Sequence, residues 1–502
     1  MTRVGIYLLV LLIFFADGDG ARAAEAGAGR AGEPVADADR PKEAPLTGDP
    51  FAPATRPADS ALIGDPFAES DVFQDQRVAA VPENTQNTFL QKGWLESRNQ
   101  FWLRNKRPFS TRQRVWLEGS SALNFGAPAE ETAPGIASAR FFLSGSLDSD
   151  PAAADLSDDH DTVSAILHEA YLTVEGTSAD VFIGKKMVRW GTGDGVNPLD
   201  LINPQDHRDP LASGRGDNRL AVLLVQGIVS LPAPAPIQEL SLEAVAVPLA
   251  TITALAAAGS AFEPAALREI RAAEQQGVLH LVKPEKPERW FADGKYGLRL
   301  TATAAGWDLG LAGYFGVKNT PVFTGEVDAD HRLRLRPVHP RIRAVGVSFA
   351  KGIHRTTLRG ELAIKPRYPL QKAATGLPGY SRRTRIEGVV GVDRTFGLSR
   401  YLNLQYFAEA IPENDGVTGR RYSHGLTVAC SDLFLNDDVK LGVSGVAGFS
   451  GQGCVVQPYG EYYMGDNWLL AVSFFLFYGD ETERYGQFAE QDFISLRLRY
   501  SF

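Results

Sequence analysis

The segment Ile494-Ser495-Leu496-Arg497-Leu498-Arg499-Tyr500-Ser501-Phe502 sets Ile494, Leu496, Leu498, Tyr500 and Phe502 at alternate positions, with Ser495, Arg497, Arg499 and Ser501 between them. Successive side chains of a strand point to opposite faces, so this segment has one apolar and one polar surface. A soluble sandwich accounts for one such strand as well as a membrane barrel does. The number of such segments, and the way they are joined, separates the two.

Back from this terminus to Gly93, stretches of about 10–14 residues alternate in the same way and are divided by Gly, Asp, Asn and Pro. The pattern predicts strands over residues 94–104, 111–124, 137–147, 165–175, 179–190, 218–230, 238–248, 294–305 and 307–317. It continues over 341–351, 353–365, 382–395, 398–410, 421–434, 438–448, 454–464, 467–478 and 491–502. The fold class this predicts is all-β: an antiparallel up-and-down transmembrane β-barrel of about 18 strands, 16 being the alternative, with short helices in its external loops.

The joins between the segments divide into two kinds. Those at Gly176 to Ala179, Gly306, Gly352, Gly397, Asn436-Asp437 and Gly465-Asp466 are tight, whereas residues 149–164, 191–217, 249–293, 319–340 and 366–381 form long connections at the alternate joins. A barrel with both termini in the periplasm alternates short periplasmic turns with long external loops in this way. Aromatic residues at predicted strand ends, Trp290, Phe291, Trp307, Tyr401, Tyr462, Tyr463 and Trp468, suit interfacial girdles. The terminal Phe502 on an amphipathic strand resembles the signal read by the barrel-assembly machinery, which is therefore an expected partner together with outer-membrane lipid and lipopolysaccharide.

Length and composition agree with that reading. A single soluble core rarely exceeds about 250–300 residues, and this chain has 502. Arg3, the apolar run from Val4 to Ala16 and the small residues Ala21, Ala23 and Ala24 predict a signal peptide over residues 1–23 and export across the inner membrane of a Gram-negative cell. No later stretch has the roughly 18 consecutive apolar residues of a membrane helix. Residues 24–90, rich in Ala, Pro, Gly and Asp, predict a disordered periplasmic segment, and residues 91–502 the barrel. Within the segment Gly48-Asp49-Pro50-Phe51-Ala52 recurs as Gly64-Asp65-Pro66-Phe67-Ala68, either as a spacer or as a docking motif for a periplasmic partner. A net charge of −9, from 60 acidic and 51 basic residues, disfavours nucleic acid as a partner. Cys430 and Cys454 are too few for a disulfide framework and are not expected to bond to each other, and no Cys/His spacing suggests zinc.

A more specific pattern lies after the fifth predicted strand. Gly184-Lys185-Lys186-Met187-Val188-Arg189-Trp190-Gly191 is followed by Asp194-Gly195 and by Asn197-Pro198-Leu199-Asp200-Leu201-Ile202-Asn203-Pro204-Gln205-Asp206. This stretch resembles a family of proteobacterial outer-membrane proteins catalogued as domain of unknown function 1302, whose members are porin-like and share a strand ending in Trp-Gly and a following Asn-Pro-Gln-Asp loop. The resemblance implies a barrel working beside an inner-membrane transporter and supplies no substrate. By its own chemistry the loop predicts a short helix, with Asn197 capping, Pro198 in first position and Asn203-Pro204 ending it, bent into the lumen. Asp194, Asp200 and Asp206 match no EF-hand spacing, so capping and turn bonds are expected of them rather than calcium, and no cofactor is expected.

The 249–293 insert predicts a second helix, opened by Ser260 and Glu263, closed near Gly277 and striped by Phe262, Leu267 and Ile270; it reads equally as packing or as a lid. Pairing of the first and last strands to close the wall places Glu96, Arg98, Arg497 and Arg499 together on the inner side. Arg114, Arg299, Arg359 and Arg385, with Glu118, Glu361 and Glu387 among them, lie on similarly polar faces and predict a charged lumen lining. It is either self-neutralising or a selectivity ladder for anions. The histidines are scattered, Ser423 and His424 alternate across a strand, and no nucleophile elbow, metalloprotease helix or phosphate loop is present, so enzymatic function is not expected. These observations imply an outer-membrane channel or export conduit; an outer-membrane enzyme acting on lipid or peptide, or a structural or adhesion barrel, is the alternative.

Overall fold

Alternation along the chain becomes a two-faced wall. In the computed structural model, which describes residues 90–122, 136–154, 162–208, 218–283, 287–329, 332–373 and 377–502, Leu95, Leu117, Leu298, Leu311, Leu362 and Leu498 are 39–52 % exposed. Glu96, Arg98, Arg497 and Arg499, their neighbours on the other face, are at most 3 % exposed. Apolar residues outside and charged residues inside invert the soluble arrangement and identify hydrocarbon as the outer solvent. The expectations for residues 1–23 and for most of 24–90, including both copies of the repeated pentapeptide, fall outside the described residues.

The strands are β1 (Leu90–Trp102), β2 (Pro108–Ala122), β3 (Ile136–Ser149), β4 (Val163–Gly176), β5 (Ala179–Lys186), β6 (Val222–Ser230) and β7 (Ile237–Val247). There follow β8 (Leu279–Leu281), β9 (Lys295–Ala304), β10 (Trp307–Val317), β11 (Val322–Val327), β12 (Leu333–Val338), β13 (Arg341–Ile353) and β14 (Thr356–Gln371). The last are β15 (Tyr380–Phe396), β16 (Arg400–Ala410), β17 (Tyr422–Phe434), β18 (Val439–Gly448), β19 (Gly453–Met464), β20 (Trp468–Tyr478) and β21 (Phe493–Ser501). Eighteen of them form one sheet, each paired antiparallel with its neighbours in chain order, and β8, β11 and β12 form a separate three-stranded sheet. Pairing of β1 with β21, Glu96 opposite Arg499 and Arg98 opposite Arg497, closes the wall and leaves no edge.

Each predicted strand segment corresponds to a strand of the closed wall, and the corrections are local. The segment expected over 179–190 ends at Lys186, because the side chain of Asn203 captures the N–H of Val188 and draws the chain inward; the segment expected from 218 begins at Val222. The stretch 319–340, expected as a plain loop, contains the hairpin β11–β12, and β14 continues to Gln371 beyond its expected end at 365. Tyr401 and Tyr463 are not girdle residues: their hydroxyls donate inward to Asp393 and Glu461, at 2.9 and 2.8 Å. Trp307 and Trp468 open strands at the short-turn end, while the exposed Trp290 and Phe291 lie at the long-loop end. Cys430 and Cys454 are both free, Cys430 opposite Val443 and Cys454 opposite Ala447 on the two sides of β18.

The helices are α1 (Pro151–Ala154) and α2 (Ala265–Gln275). Helix α2 starts later than Ser260 predicts. Glu263 instead accepts the N–H of Gly259 at 3.0 Å and pairs with Arg271 at 2.7 Å, so the pattern of a capping box stabilises the turn before the helix. Phe262 therefore precedes α2, and Gly277 at φ +73° follows its end, as the sequence implies.

Candidate functional site

Between β5 and β6 the chain leaves the wall and crosses the lumen. Its two stems are tied by Asn203, whose Oδ1 accepts from Val188 N–H at 2.8 Å and whose Nδ2 donates to the carbonyl of Leu220 at 2.7 Å. Antiparallel bridging of Gln205 with Arg219 extends the clasp. The segment Asn197-Pro198-Leu199-Asp200 makes a single turn, with Asp200 N–H donating to Asn197 O at 3.2 Å, and not the predicted helix.

Glu361, on β14, accepts the backbone N–H of Thr192 at 2.6 Å, of Leu199 at 3.1 Å and of Gly193. Around the barrel, β14 and β16 are separated from β5 and β6 by β7, β9, β10 and β13, so the loop is held by the far wall. Asp194, fully buried at its tip, accepts from Arg359 at 2.9 Å, Arg189 at 3.1 Å, Asn403 at 2.8 Å and Gln405 at 2.9 Å. Its own N–H donates to Gln405 at 3.0 Å. Burial pushes this carboxyl up to about 6, outweighing Arg359 and Arg189. Gly191 has φ +87°, and a Cβ there would collide with the Glu361 carboxylate and with Asn197, so only glycine fits the step after Trp190.

Trp190 anchors the near side. It is 1 % exposed, donates Nε1–H to Glu243 at 3.0 Å, and lies over Gly297 of β9, where a side chain would occupy its ring position. Glu243 also receives Gln226 at 2.8 Å and Arg299 at 2.7 Å. Val188, Trp190 and Ile202 pack in a buried cluster with Val222, Leu224, Val245 and Tyr314 of the wall. The ammonium of Lys295 donates to Ile202 O at 3.0 Å and Asn319 Oδ1 at 2.6 Å, joining this loop to the 318–340 loop. The 248–294 loop is joined as well, with His207 N–H donating to Ala254 O at 2.8 Å.

The three aspartates of the motif therefore part company: Asp194 goes to the far wall, Asp200 to Arg219 at 2.5 Å and Asp206 to its neighbour Arg208 at 2.7 Å. Pro198 is buried in the turn, and Pro204 supplies its carbonyl to Leu220 N–H at 2.8 Å. The eleven charged wall residues singled out in the sequence do not form one site. Arg359 joins Asp194 and Asp393; Arg385 joins Glu387 at 2.5 Å and Glu409 at 2.8 Å; Arg299 joins Glu243; Arg114 pairs with Asp148. Glu361 and Glu387 do not face each other across their strands, since Glu361 is opposite Val389 and Glu387 opposite Ala363. Arg98, Arg497 and Arg499 gather with Glu96 at the seam. The reading of the sequence missed Glu243, Lys295, Asp393, Asn403 and Gln405, each a single polar residue on the inner face of a strand and indistinguishable in sequence from any other wall position.

Solved structures similar to this chain include Salmonella typhi OmpF in complex with daunomycin, at 10 % identity and TM-score 0.41, with 83 % of this chain and 98 % of that chain covered. A substituted variant of the Rh. blastica porin matches at 11 % identity and TM-score 0.38, covering 83 % of this chain and 100 % of its own. A loop-deletion mutant of OmpT, an outer membrane protein of Vibrio cholerae, matches at 10 % identity and TM-score 0.37, with 83 % and 100 % covered. Comparison with functionally curated proteins finds no match. Residues 143–502 match the family described as protein of unknown function DUF1302, and the chain, a closed β-barrel of the outer-membrane type with the loop after Trp190-Gly191 crossing its lumen, belongs to it.

Proposed function

We propose that the protein is a gated outer-membrane conduit, whose lumen passes solute when the loop between β5 and β6 withdraws from the far wall. The observation that carries this is the attachment of a lumen-crossing loop to the opposite side of the barrel by Glu361 and Asp194. A loop needed only for wall stability has no reason to reach that far, whereas a constriction must. The clasp is polar and made of individual hydrogen bonds, so it can be broken without repacking the strands.

In this reading the short-turn end and both termini face the periplasm, and the long loops face outward. The barrel-assembly machinery inserts the chain, lipopolysaccharide and lipid surround it, and a periplasmic or inner-membrane transporter delivers or receives the solute. Catalysis is not part of the proposal, because the buried polar groups around Asp194 and Glu361 are engaged in holding the loop and present no nucleophile to a base.

The test is conductance in planar bilayers. The folded protein is expected to give small or intermittent currents, and a variant with residues 191–201 replaced by a short Gly-Ser link to give larger, steady ones. Equal and negligible conductance in both, with the barrel folded, would overturn the proposal.

A further inference from the structure

The outer surface of the wall is apolar where it meets hydrocarbon, and four exposed arginines interrupt it together at the long-loop end of β13, β14 and β15: Arg341 and Arg343, Arg367, and Arg382. Ile342, Ala344 and Tyr368, their neighbours in the chain, are buried in the cluster on the inner side, so Arg341, Arg343 and Arg367 stand on the lipid side. Below them on the same outward faces of β13 and β14, Val345, Val347, Leu362 and Ile364 are 40–47 % exposed. The arginines therefore mark the rim of the apolar band, where a charge on the lipid side costs far less than at its midplane.

Main-chain contacts hold the four together. Arg382 donates to the carbonyls of Arg341 at 3.0 Å and of Arg367 at 3.1 Å, so one guanidinium ties three strands at this rim. Arg341 itself donates to the carbonyl of Ala292 in the 248–294 loop, just after the exposed Trp290 and Phe291, whose rings suit the headgroup level. Arg341 and Arg343 lie over the ring of Phe315 on β10, 5.4 and 5.6 Å from its centroid. Arg367 has φ +52°, a conformation rare for a residue with a side chain, and it sits where β14 bulges between Lys365 and Tyr368; a bulge re-aims a side chain, here outward. Asp293, beside Ala292, is taken by Arg289 at 2.8 Å. Among the described residues none of the four arginines is ion-paired, and the side chains of Arg343 and Arg367 donate to no group of the protein.

We propose that this face is a binding site for lipopolysaccharide, with the phosphates of its lipid A headgroup at the Arg341–Arg343–Arg367–Arg382 cluster and its acyl chains along Val345, Val347, Leu362 and Ile364. Guanidinium groups match phosphate oxygens with paired N–H donors, and like charges gathered on one face repel until an anion sits among them. The cluster spans three strands, roughly 10 Å across at the 4.8 Å strand spacing, which is wider than one phosphate. A headgroup with two phosphates and several chains fits that width; a glycerophospholipid brings a single phosphate. The inference rests on the conduit reading for its orientation alone, long loops outward, since lipopolysaccharide occupies the outer leaflet.

The experiment uses the full-length folded protein in detergent, with a fluorescent lipopolysaccharide as probe. Bisphosphoryl lipid A, the same lipid A stripped of its phosphates, and phosphatidylglycerol are the competitors. Bisphosphoryl lipid A is expected to displace the probe about tenfold more effectively than either of the others, the phosphates contributing charge-assisted contacts that the stripped form lacks. Replacing Arg343→Gln and Arg367→Gln together should remove that preference in protein that still shows a heat-modifiable folded band. Equal competition by the phosphorylated and stripped forms in the wild-type protein overturns the proposal whether or not the variant folds, and so does a folded double variant with the full preference. Phosphatidylglycerol competing as well as bisphosphoryl lipid A overturns it too, leaving a surface for any anionic lipid. Antibody access in intact cells to a tag inserted after the exposed Gly277 reads the orientation separately. With the tag reached, failed binding sinks the site alone; with the tag out of reach, the orientation is wrong and lipopolysaccharide falls with it.

Discussion

Glu361 accepts the backbone N–H of Thr192 at 2.6 Å although Thr192 belongs to a loop rooted on β5 and β6, and Glu361 stands on β14, on the other side of the barrel. The same carboxylate takes Leu199 and Gly193. One side chain thus satisfies several donors of a turn that would otherwise hang in the lumen, and leaving a buried donor without its acceptor costs about 1–3 kcal/mol. Replacing Glu361→Gln keeps the shape but removes the charge and one acceptor oxygen. The variant is expected to form a normal heat-modifiable barrel and to show longer open times in single-channel records; records identical to wild type would mean that the loop is held elsewhere.

The Trp-Gly pair has a division of labour. Trp190 fills the space over Gly297, and Gly191 makes the left-handed step that delivers Thr192 to Glu361. Gly191→Ala puts a methyl group against that carboxylate in a backbone conformation that costs an alanine about 1–2 kcal/mol even in open space. Accelerated proteolysis within residues 187–221, with the strands still protected, is the expected outcome. Unchanged protease resistance would show that the turn accommodates a side chain.

Much of this was legible in the sequence, and the reason is periodicity. A strand between lipid and lumen must alternate along its whole length, so residues 491–502 announce β21 and the tight joins announce where one strand turns into the next. The seam partners of Arg497 and Arg499 followed from closure alone. The loop interior was less legible. Asn197-Pro198 favours a helix start locally, yet the chain makes a single turn there and is held by Glu361, more than 150 positions later. Ser260 and Glu263 carry a capping pattern that a neighbouring turn uses instead. Single inward polar residues such as Asn403 and Gln405 acquire meaning only when the loop arrives at them.

Acidity should act on the seated loop through Asp194. The groups facing it are Arg189 of the loop, Arg359 of β14, Asp393 of β15, and Asn403 and Gln405 of β16. Burial raises its pKa from 3.8 to about 6, so the seated loop holds this proton more tightly than a withdrawn, solvated one. A raised carboxyl pKa therefore favours seating as pH falls through about 6 toward 4, and weakens it as pH rises through the same window. Mean conductance is expected to be lower at pH 5 than at pH 7.5, and Asp194→Asn should flatten that difference. A variant with the wild-type pH response would place the titrating group elsewhere.

Pairing of the wall arginines bears on selectivity. Arg385 lies between Glu387 and Glu409, so its removal leaves two carboxylates without their shared cation. Arg359 plays the same part between Asp194 and Asp393. Replacing Arg359→Gln and Arg385→Gln together should shift the reversal potential of an open channel in a salt gradient toward cations. A reversal potential unaffected in the folded double variant would show that these charges serve the wall and the loop and do not line the conducting path.

The seam offers a test of why the first and last strands recognise each other. Glu96 of β1 and Arg499 of β21 meet at 2.9 Å with side chains no more than 1 % exposed, and they are register partners in the pairing that closes the barrel. Removing one member of a buried ion pair strands the other charge and costs about 3–5 kcal/mol, whereas replacing both by apolar residues of similar size is often close to neutral. Arg499 also lies over the ring of Trp94, 4.5 Å from its centroid, so an apolar substitute keeps an aromatic neighbour on which to pack. Glu96→Gln alone and Arg499→Met alone are each expected to lower the temperature at which the folded band is lost in a heating series. The double variant Glu96→Leu, Arg499→Met should recover most of that loss, since lipid closure needs the backbone ladder and not the charge. If the double variant falls as far as the sum of the singles, the pair acts through separate partners, and charge pairing across the seam is not what sets the register of closure.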